Sequence, residues 1–349
     1  MSSKSIFENT IKKVLQRQDL SFSESYSTFK SILDEELGIA GEVSFGALFG
    51  ALQTKGPTKE EILGLIKVVL DYDRQTISYE KSSELSGIVG SGKDDLKTFN
   101  ISTASAIVAA AAGYKVVKNG SRSESSIAGT TDVLEHMGFN VILDPSKVLN
   151  LLERTNFTFC DASQYFPRMG KLYVGKFLFP HPLSYVLSIA SGLEFRRILF
   201  GLSLSQTELV AELLQDLGMD RFMVVAGTDL RGKTLDEISN IGPTKVSDNF
   251  TGSIRTYTIT PEDFGFKTHK YEAIQQGNSV SDNVSILKRA LSGEIKDGAY
   301  EVVVMNAGAL ISVASDNLDM KEGIKKAQKA IDSGEALVKL NEVIQISNE

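Results

Sequence analysis

Three segments carry residue types whose spacing could handle a phosphate-rich ligand. The first is Gly90-Ser91-Gly92-Lys93-Asp94-Asp95, followed by Thr98-Phe99-Asn100-Ile101-Ser102-Thr103. A short apolar run over 86–90 feeds the glycine turn, and an alanine-rich helix opens at Ser102. Backbone N–H groups in such a turn, with the N-terminus of the helix behind it, form an anion site. Asn100, Ser102 and Thr103 add side-chain donors. No Gly-Lys-Ser/Thr closes the turn, so it is not a P-loop. Taken alone, the same residues also read as a tight turn before a capped helix.

The second segment runs from Lys118-Asn119-Gly120-Ser121-Arg122-Ser123 through Ser126 to Thr130-Thr131-Asp132. Cations and hydroxyls at a strand's C-terminal end suit phosphate binding; a solvated loop before a capped helix has the same composition. The third is Asp236-Glu237-Ile238-Ser239-Asn240-Ile241-Gly242-Pro243-Thr244-Lys245-Val246. Adjacent carboxylates among apolar residues could hold a divalent cation, because magnesium takes one or two carboxylates plus water and phosphate oxygens. Two exposed loop charges are the alternative.

The elements that must position these segments fall into two groups. Residues 1–80 read as helices only. Ile6, Ile11, Val14 and Leu15 recur at helical spacing, a second helix covers 23–37, and a third follows Val43. Thr58 with Glu61 forms a capping box ahead of Ile62, Leu65, Ile66 and Val69. From Ser86 the pattern becomes strand (86–90), helix (102–112), strand (115–118), helix (130–137), strand (140–143) and helix (145–154), which implies parallel strands with crossovers. Residues 166–197 hold Pro167, Pro180 and Pro182 and read as short helices returning to the helical domain. Strands over 222–226 and 254–259 follow, then helices over 282–291, 300–312 and 320–333. The expected fold is α/β, with a small N-terminal helical domain and a larger α/β domain around a central, mostly parallel sheet. The domains are 1–80 joined by about 166–197, and 81–165 with 198–349.

Composition limits the function classes. Lys and Arg total 37 against 44 Asp and Glu, a net charge of −7, which argues against a nucleic-acid or anionic-membrane binder. Cys160 is the only cysteine, so the chain forms no internal disulfide and fits a reducing compartment. Three scattered histidines, His136, His181 and His269, do not make a zinc site. With no signal-like or membrane-spanning apolar run, the expectation is a cytoplasmic protein.

Together the three segments resemble the anthranilate phosphoribosyltransferase family. Its Gly-Thr-Gly-Gly-Asp turn and Thr-Phe-Asn-Ile-Ser-Thr stand here as Gly90 to Asp94 and Thr98 to Thr103. Its Lys-His-Gly-Asn-Arg loop and downstream Asp-Val-Leu-Glu correspond to Lys118 to Ser126 and Asp132 to Glu135. Its Asp-Glu ahead of Gly-Pro-Thr-Lys-Val is Asp236-Glu237, and Asn306-Ala307-Gly308-Ala309-Leu310 recurs in order. The resemblance implies phosphoribosyl pyrophosphate as donor, Mg2+, a small aromatic acceptor (anthranilate, in tryptophan biosynthesis), a hinge-cleft active site and a homodimer. It implies a donor site of Gly90, Ser91, Gly92, Lys93, Asp94, Thr98, Asn100, Ser102, Thr103, Lys118 and Ser126. Asp236, Glu237 and Ser102 would serve the metal. No catalytic acid or base is assigned.

The departures gather on the acceptor side. Lys93 replaces a glycine of the turn, Asn119 replaces the loop histidine, and Ser121 its asparagine. The family's His-Pro-Ala-Met reads Phe166-Pro167-Arg168-Met169, and its anthranilate-gripping arginine falls near Lys176. Arginine grips a carboxylate with a planar fork and lysine does not. Asn119, Ser121, Phe166 and Lys176 are thus the expected acceptor residues. They leave open a different aromatic or heterocyclic acceptor, or nucleoside phosphorolysis, beside anthranilate. A non-enzymatic nucleic-acid binder is disfavoured by the charge.

Overall fold

The computed structural model describes residues 3–34, 39–123, 126–173, 176–177, 179, 181–185 and 189–349. The chain forms two compact units, one of residues 1–76 with 162–192, the other of 77–161 with 193–349.

The first unit is helical: α1 (Ser3–Leu15), α2 (Phe22–Asp34), α3 (Ile39–Lys55) and α4 (Lys59–Tyr72). The capping box forms as expected. Glu61 N–H donates to Thr58 Oγ1 (3.3 Å), and Thr58 N–H donates to Glu61 Oε2 (2.8 Å). Behind it Ile62, Leu65, Ile66 and Val69 are all buried. Leu15, expected on the apolar face of α1, is 64% exposed. The helix expected over 23–37 is seen as far as Asp34, and 35–37 lie outside the described residues. The third helix begins at Ile39, before Val43.

The second unit holds one sheet. Strands β1 (Ser86–Gly90), β2 (Val116–Gly120), β3 (Phe157–Asp161), β4 (Arg197–Gly201) and β5 (Arg221–Thr228) are joined by β6 (Thr234–Leu235), β7 (Thr244–Asp248) and β8 (Arg255–Ile259). The order is β3-β2-β1-β4-β5-β7-β8, with β6 also on β5. Pairing is parallel from β3 to β5 and antiparallel beyond. The parallel strands are near-continuous apolar runs because both faces are covered. Val116, Val117, Phe157, Ile198, Phe200, Phe222 and Val224 are all fully buried.

The strand expected over 140–143 does not form. Its backbone is used otherwise: Asn140 N–H donates to Ser347 Oγ and Ile142 N–H to Asn140 Oδ1. The edge position falls to β3, paired with β2 in register Asn119↔Cys160.

The helices of this unit are α5 (Ile101–Ala111), α6 (Thr130–His136), α7 (Pro145–Thr155), α10 (Thr207–Asp216), α11 (Val280–Ser292), α12 (Gly298–Ala314), α13 (Met320–Asp332) and α14 (Glu335–Ser347). Two short helices of the first unit, α8 (Ala162–Tyr165) and α9 (Pro167–Tyr173), precede α10 in the chain. The last helix, α14, is additional to those expected from the pattern. No helix among the described residues is long and apolar enough to cross a membrane.

Candidate active site

The chain runs outward from β1 to β2 and β3, then returns to β4 on the other side of β1. Such a reversal opens a crevice at the carboxyl ends of the two flanking strands, the usual ligand position in open α/β sheets. Those ends are Gly90 and Gly201. A Cβ on Gly90 would overlap Asp236 Oδ2, and one on Gly201 would overlap the Asp236 carbonyl oxygen. Glycine at both strand ends lets the acidic segment cross the crevice.

The glycine turn wraps the Asp236 carboxylate. Gly92 N–H donates to Asp236 Oδ2 at 2.7 Å. Ser91 N–H donates to the Gly201 carbonyl (2.8 Å), and Ser203 N–H donates to Ser91 Oγ (2.8 Å). Gly92 and Lys93 both lie in the left-handed region, at φ +69° and +59°. Lys93 therefore occupies the backbone conformation that glycine would take without strain. Past the turn, Asp95 Oδ2 accepts from Thr234 N–H (3.0 Å) and Oγ1–H (3.1 Å), and Leu96 N–H donates to the Thr234 carbonyl. These bonds tie the turn to the strand that leads into Asp236.

Three carboxylates and one buried lysine share this crevice. Lys118, near the end of β2, is 2% exposed and its Nζ donates to the Asn119 carbonyl. Burial pulls its pKa down to about 8, against the pull of Glu237 and Asp236. Burial, and then repulsion from Asp236, push Asp94 up to about 7, although Lys97 Nζ lies 3.1 Å from its Oδ1. Asp236 is raised by burial, and Glu237 is raised well above the usual carboxylate range by burial and by Asp236. Ser102 N–H, in the first turn of α5, hydrogen-bonds Glu237. The cluster is short of positive charge, and a divalent cation would supply it. Among the described residues no three acidic, histidine or cysteine side chains form a metal cluster. Two neighbouring carboxylates are a donor set that magnesium commonly takes, with water and phosphate oxygens completing its shell.

Around this centre, Asn100 precedes α5 and its Nδ2 donates to the Ala128 carbonyl at 3.4 Å, joining the first loop to the second. Thr98 bridges to Gln275. Thr103 is fully buried and its Oγ1 makes no hydrogen bond. Ser126 Oγ stays within its own loop, on Ser123 and the Ala128 carbonyl; Glu124 and Ser125 lie outside the described residues. Asn119 is 4% exposed, and Ser121 Oγ donates to the Arg122 carbonyl. Arg122, a cation of the second loop, is committed to Glu135 by two 2.6 Å bonds and also pairs with Asp132. Phe166 and Lys176 belong to the helical unit, where Phe166 is 3% exposed and Lys176 Nζ pairs with Glu42 Oε1 at 2.9 Å.

Gly201, Ser203, Asp95, Thr234 and Lys97 are not among the site residues expected from the sequence. β1, β2 and β4 all end in glycine, a pattern that becomes visible only once the strands are placed.

A crevice of glycine strand ends, N–H donors, a buried lysine and an acidic pair suits a phosphorylated ligand held with a divalent metal. A model described as the glycosyl transferase family a/b domain matches residues 83–337, and one described as the helical bundle domain of that family matches 8–72. The chain is 35% identical over 344 residues to the anthranilate phosphoribosyltransferase of Thermoanaerobacter sp. (strain X514), covering 97% of this chain and 98% of that protein. It is 34% identical to the enzyme of that name from Methanocorpusculum labreanum, covering 97% of each. The chain belongs to the anthranilate phosphoribosyltransferase family. The crystal structure of the Thermus thermophilus enzyme superposes with a TM-score of 0.84 at 28% identity, over 97% of this chain and 99% of that one. The Saccharomyces cerevisiae enzyme in complex with PRPP and Mg does so with 0.83 at 25% identity, over 99% and 98%.

Proposed function

We propose that this chain transfers the phosphoribosyl group of phosphoribosyl pyrophosphate to the amino nitrogen of anthranilate, in tryptophan biosynthesis, as a cytoplasmic homodimer. The observation that carries the reading is the Asp236–Glu237 pair held across Gly90 and Gly201, with Asp236 bonded to the Gly92 N–H. In the reaction the amine nitrogen forms a bond to the anomeric carbon as the bond to pyrophosphate breaks. Pyrophosphate leaves with the electron pair, and the nitrogen releases one proton. The protein's share is to hold the two reactants in line and to stabilise the charge that builds on pyrophosphate. Lys93 of the glycine turn and Lys118 supply positive charge for that group, while the Gly92 and Ser102 N–H groups hold the Asp236 and Glu237 carboxylates. Asp236 and Glu237 would hold Mg2+, which would supply charge neutralisation for the leaving pyrophosphate. An aromatic amine is neutral at pH 7, so no strong base is required.

A second reading has its own support. Lys176 is paired with Glu42 and Phe166 is buried, which favours an aromatic amine without anthranilate's carboxylate. One assay separates the two: pyrophosphate release with Mg2+ and donor, for anthranilate against a panel of aromatic amines and nucleobases. Saturable turnover with anthranilate in preference to the panel supports the first reading. Preference for a non-carboxylate amine supports the second, and no release with any acceptor overturns both.

A further inference from the structure

Behind the acidic pair, the amide of Asn306 holds Ile238 by both its N–H and its carbonyl. Asn306 sits in the middle of α12 and is fully buried. Its Oδ1 accepts from Ile238 N–H at 2.9 Å. Its Nδ2 donates to the Ile238 carbonyl and to the Val302 carbonyl, both at 2.9 Å. Only one orientation of the amide meets all three partners. Ile238 N–H belongs to the peptide that begins at Glu237, so Asn306 sets the plane from which the Glu237 carboxylate projects.

The helix that carries this amide is itself held. A Cβ on Gly308 would stand 2.7 Å from Ile324 N, and one on Gly323 would overlap the Gly308 carbonyl oxygen. With no side chain at either position, α13 packs directly on the backbone of α12. The acidic segment is held again further along, where Asn240 Nδ2 donates to the Gly298 carbonyl at the start of α12 (2.8 Å).

We infer that Asn306 is a positioning residue for the metal pair: it acts through the Ile238 peptide to fix Glu237 for Mg2+, and so sets how strongly donor binding depends on the metal. The inference rests on the function proposed above. Partners that orient ligating carboxylates commonly matter to metal affinity by tenfold or more.

The test is calorimetry of phosphoribosyl pyrophosphate binding to the full chain, with and without MgCl2, together with the thermal midpoint of each protein. In wild type the metal should tighten donor binding. In Asn306→Ala the metal-dependent gain should shrink by about tenfold or more, and the magnesium concentration needed for half-maximal donor binding should rise. Metal-free donor binding should stay within about twofold. Asn306→Ser keeps a hydroxyl that can donate to the Val302 carbonyl one helical turn back but is too short to clamp Ile238. It should lose magnesium dependence in the same way, and it serves as the reporter where the alanine variant does not fold. Variants with lowered thermal midpoints but wild-type magnesium dependence would show a packing role only and overturn the inference. A wild-type protein that binds no donor with magnesium overturns the proposed function instead.

Discussion

Replacing Gly90 with alanine adds one methyl group at the end of β1 and tests whether the strand-end glycine exists to admit Asp236. The new Cβ would overlap Asp236 Oδ2 and stand 2.8 Å from its Cγ. Carbon atoms in contact prefer about 3.5–4.0 Å, so the carboxylate must retreat by roughly 1 Å. That opens the 2.7 Å bond from Gly92 N–H beyond useful hydrogen-bond range. A hydrogen bond to a charged group contributes about 1.5–3 kcal/mol, equivalent to roughly tenfold to a hundredfold in affinity. Gly90 is not among the positive-φ residues, so alanine fits the backbone and the fold should hold. The assay is calorimetry of donor binding with MgCl2, with a thermal midpoint to confirm folding. A folded Gly90→Ala protein whose donor Kd stays within about twofold of wild type would refute the reasoning.

Lys93→Gly should raise stability by about 1 kcal/mol, because a side chain leaves the left-handed region (φ +59°), while weakening donor binding through loss of a positive charge; thermal melts and calorimetry should move in opposite directions. Asp94, raised from 3.8 to about 7, keeps its proton in the folded protein at pH values where the unfolded chain has lost it. Its contribution to stability is therefore full below about pH 4 and lost as pH rises through about 7. Binding of metal-loaded donor should release a proton below about pH 7 and none well above it, as measured in buffers of different ionisation enthalpy. Asp73, 2% exposed, accepts from Arg168 N–H (2.9 Å) and Met169 N–H (2.7 Å) at the start of α9. Asp73→Ala should raise the acceptor KM about fivefold or more, by loss of roughly 1–3 kcal/mol of hydrogen bonding, with a donor KM near wild type; equal changes in both would refute a role specific to the acceptor segment.

Much of the candidate crevice was legible because its residues are contiguous. The glycine turn, the opening of α5 and Asp236-Glu237 can each be read from neighbouring residue types. The clamp of Asn306 on Ile238 was not legible, since it joins positions 68 residues apart and depends on how α12 crosses the sheet. The same holds for Gly201, whose need for glycine comes from a carbonyl contributed by a later loop. The left-handed backbone of Lys93 was hidden because lysine carries no signal for it. Residues 140–143 and β3 show the limit of pattern reading. Both are short apolar runs, and only the pairing of 157–161 with β2 distinguishes the strand from the loop. Lys176 illustrates a different gap: its position suggested a carboxylate grip, but Glu42, from α3, is already its partner.

The most direct test of the account is initial-rate pyrophosphate release from phosphoribosyl pyrophosphate and anthranilate, as a function of magnesium, in wild type and in Asp236→Asn/Glu237→Gln. The account predicts magnesium-dependent, saturable turnover in wild type, and a double variant that folds but loses both turnover and the metal dependence of donor binding. A double variant with wild-type rates and unchanged magnesium dependence would contradict it.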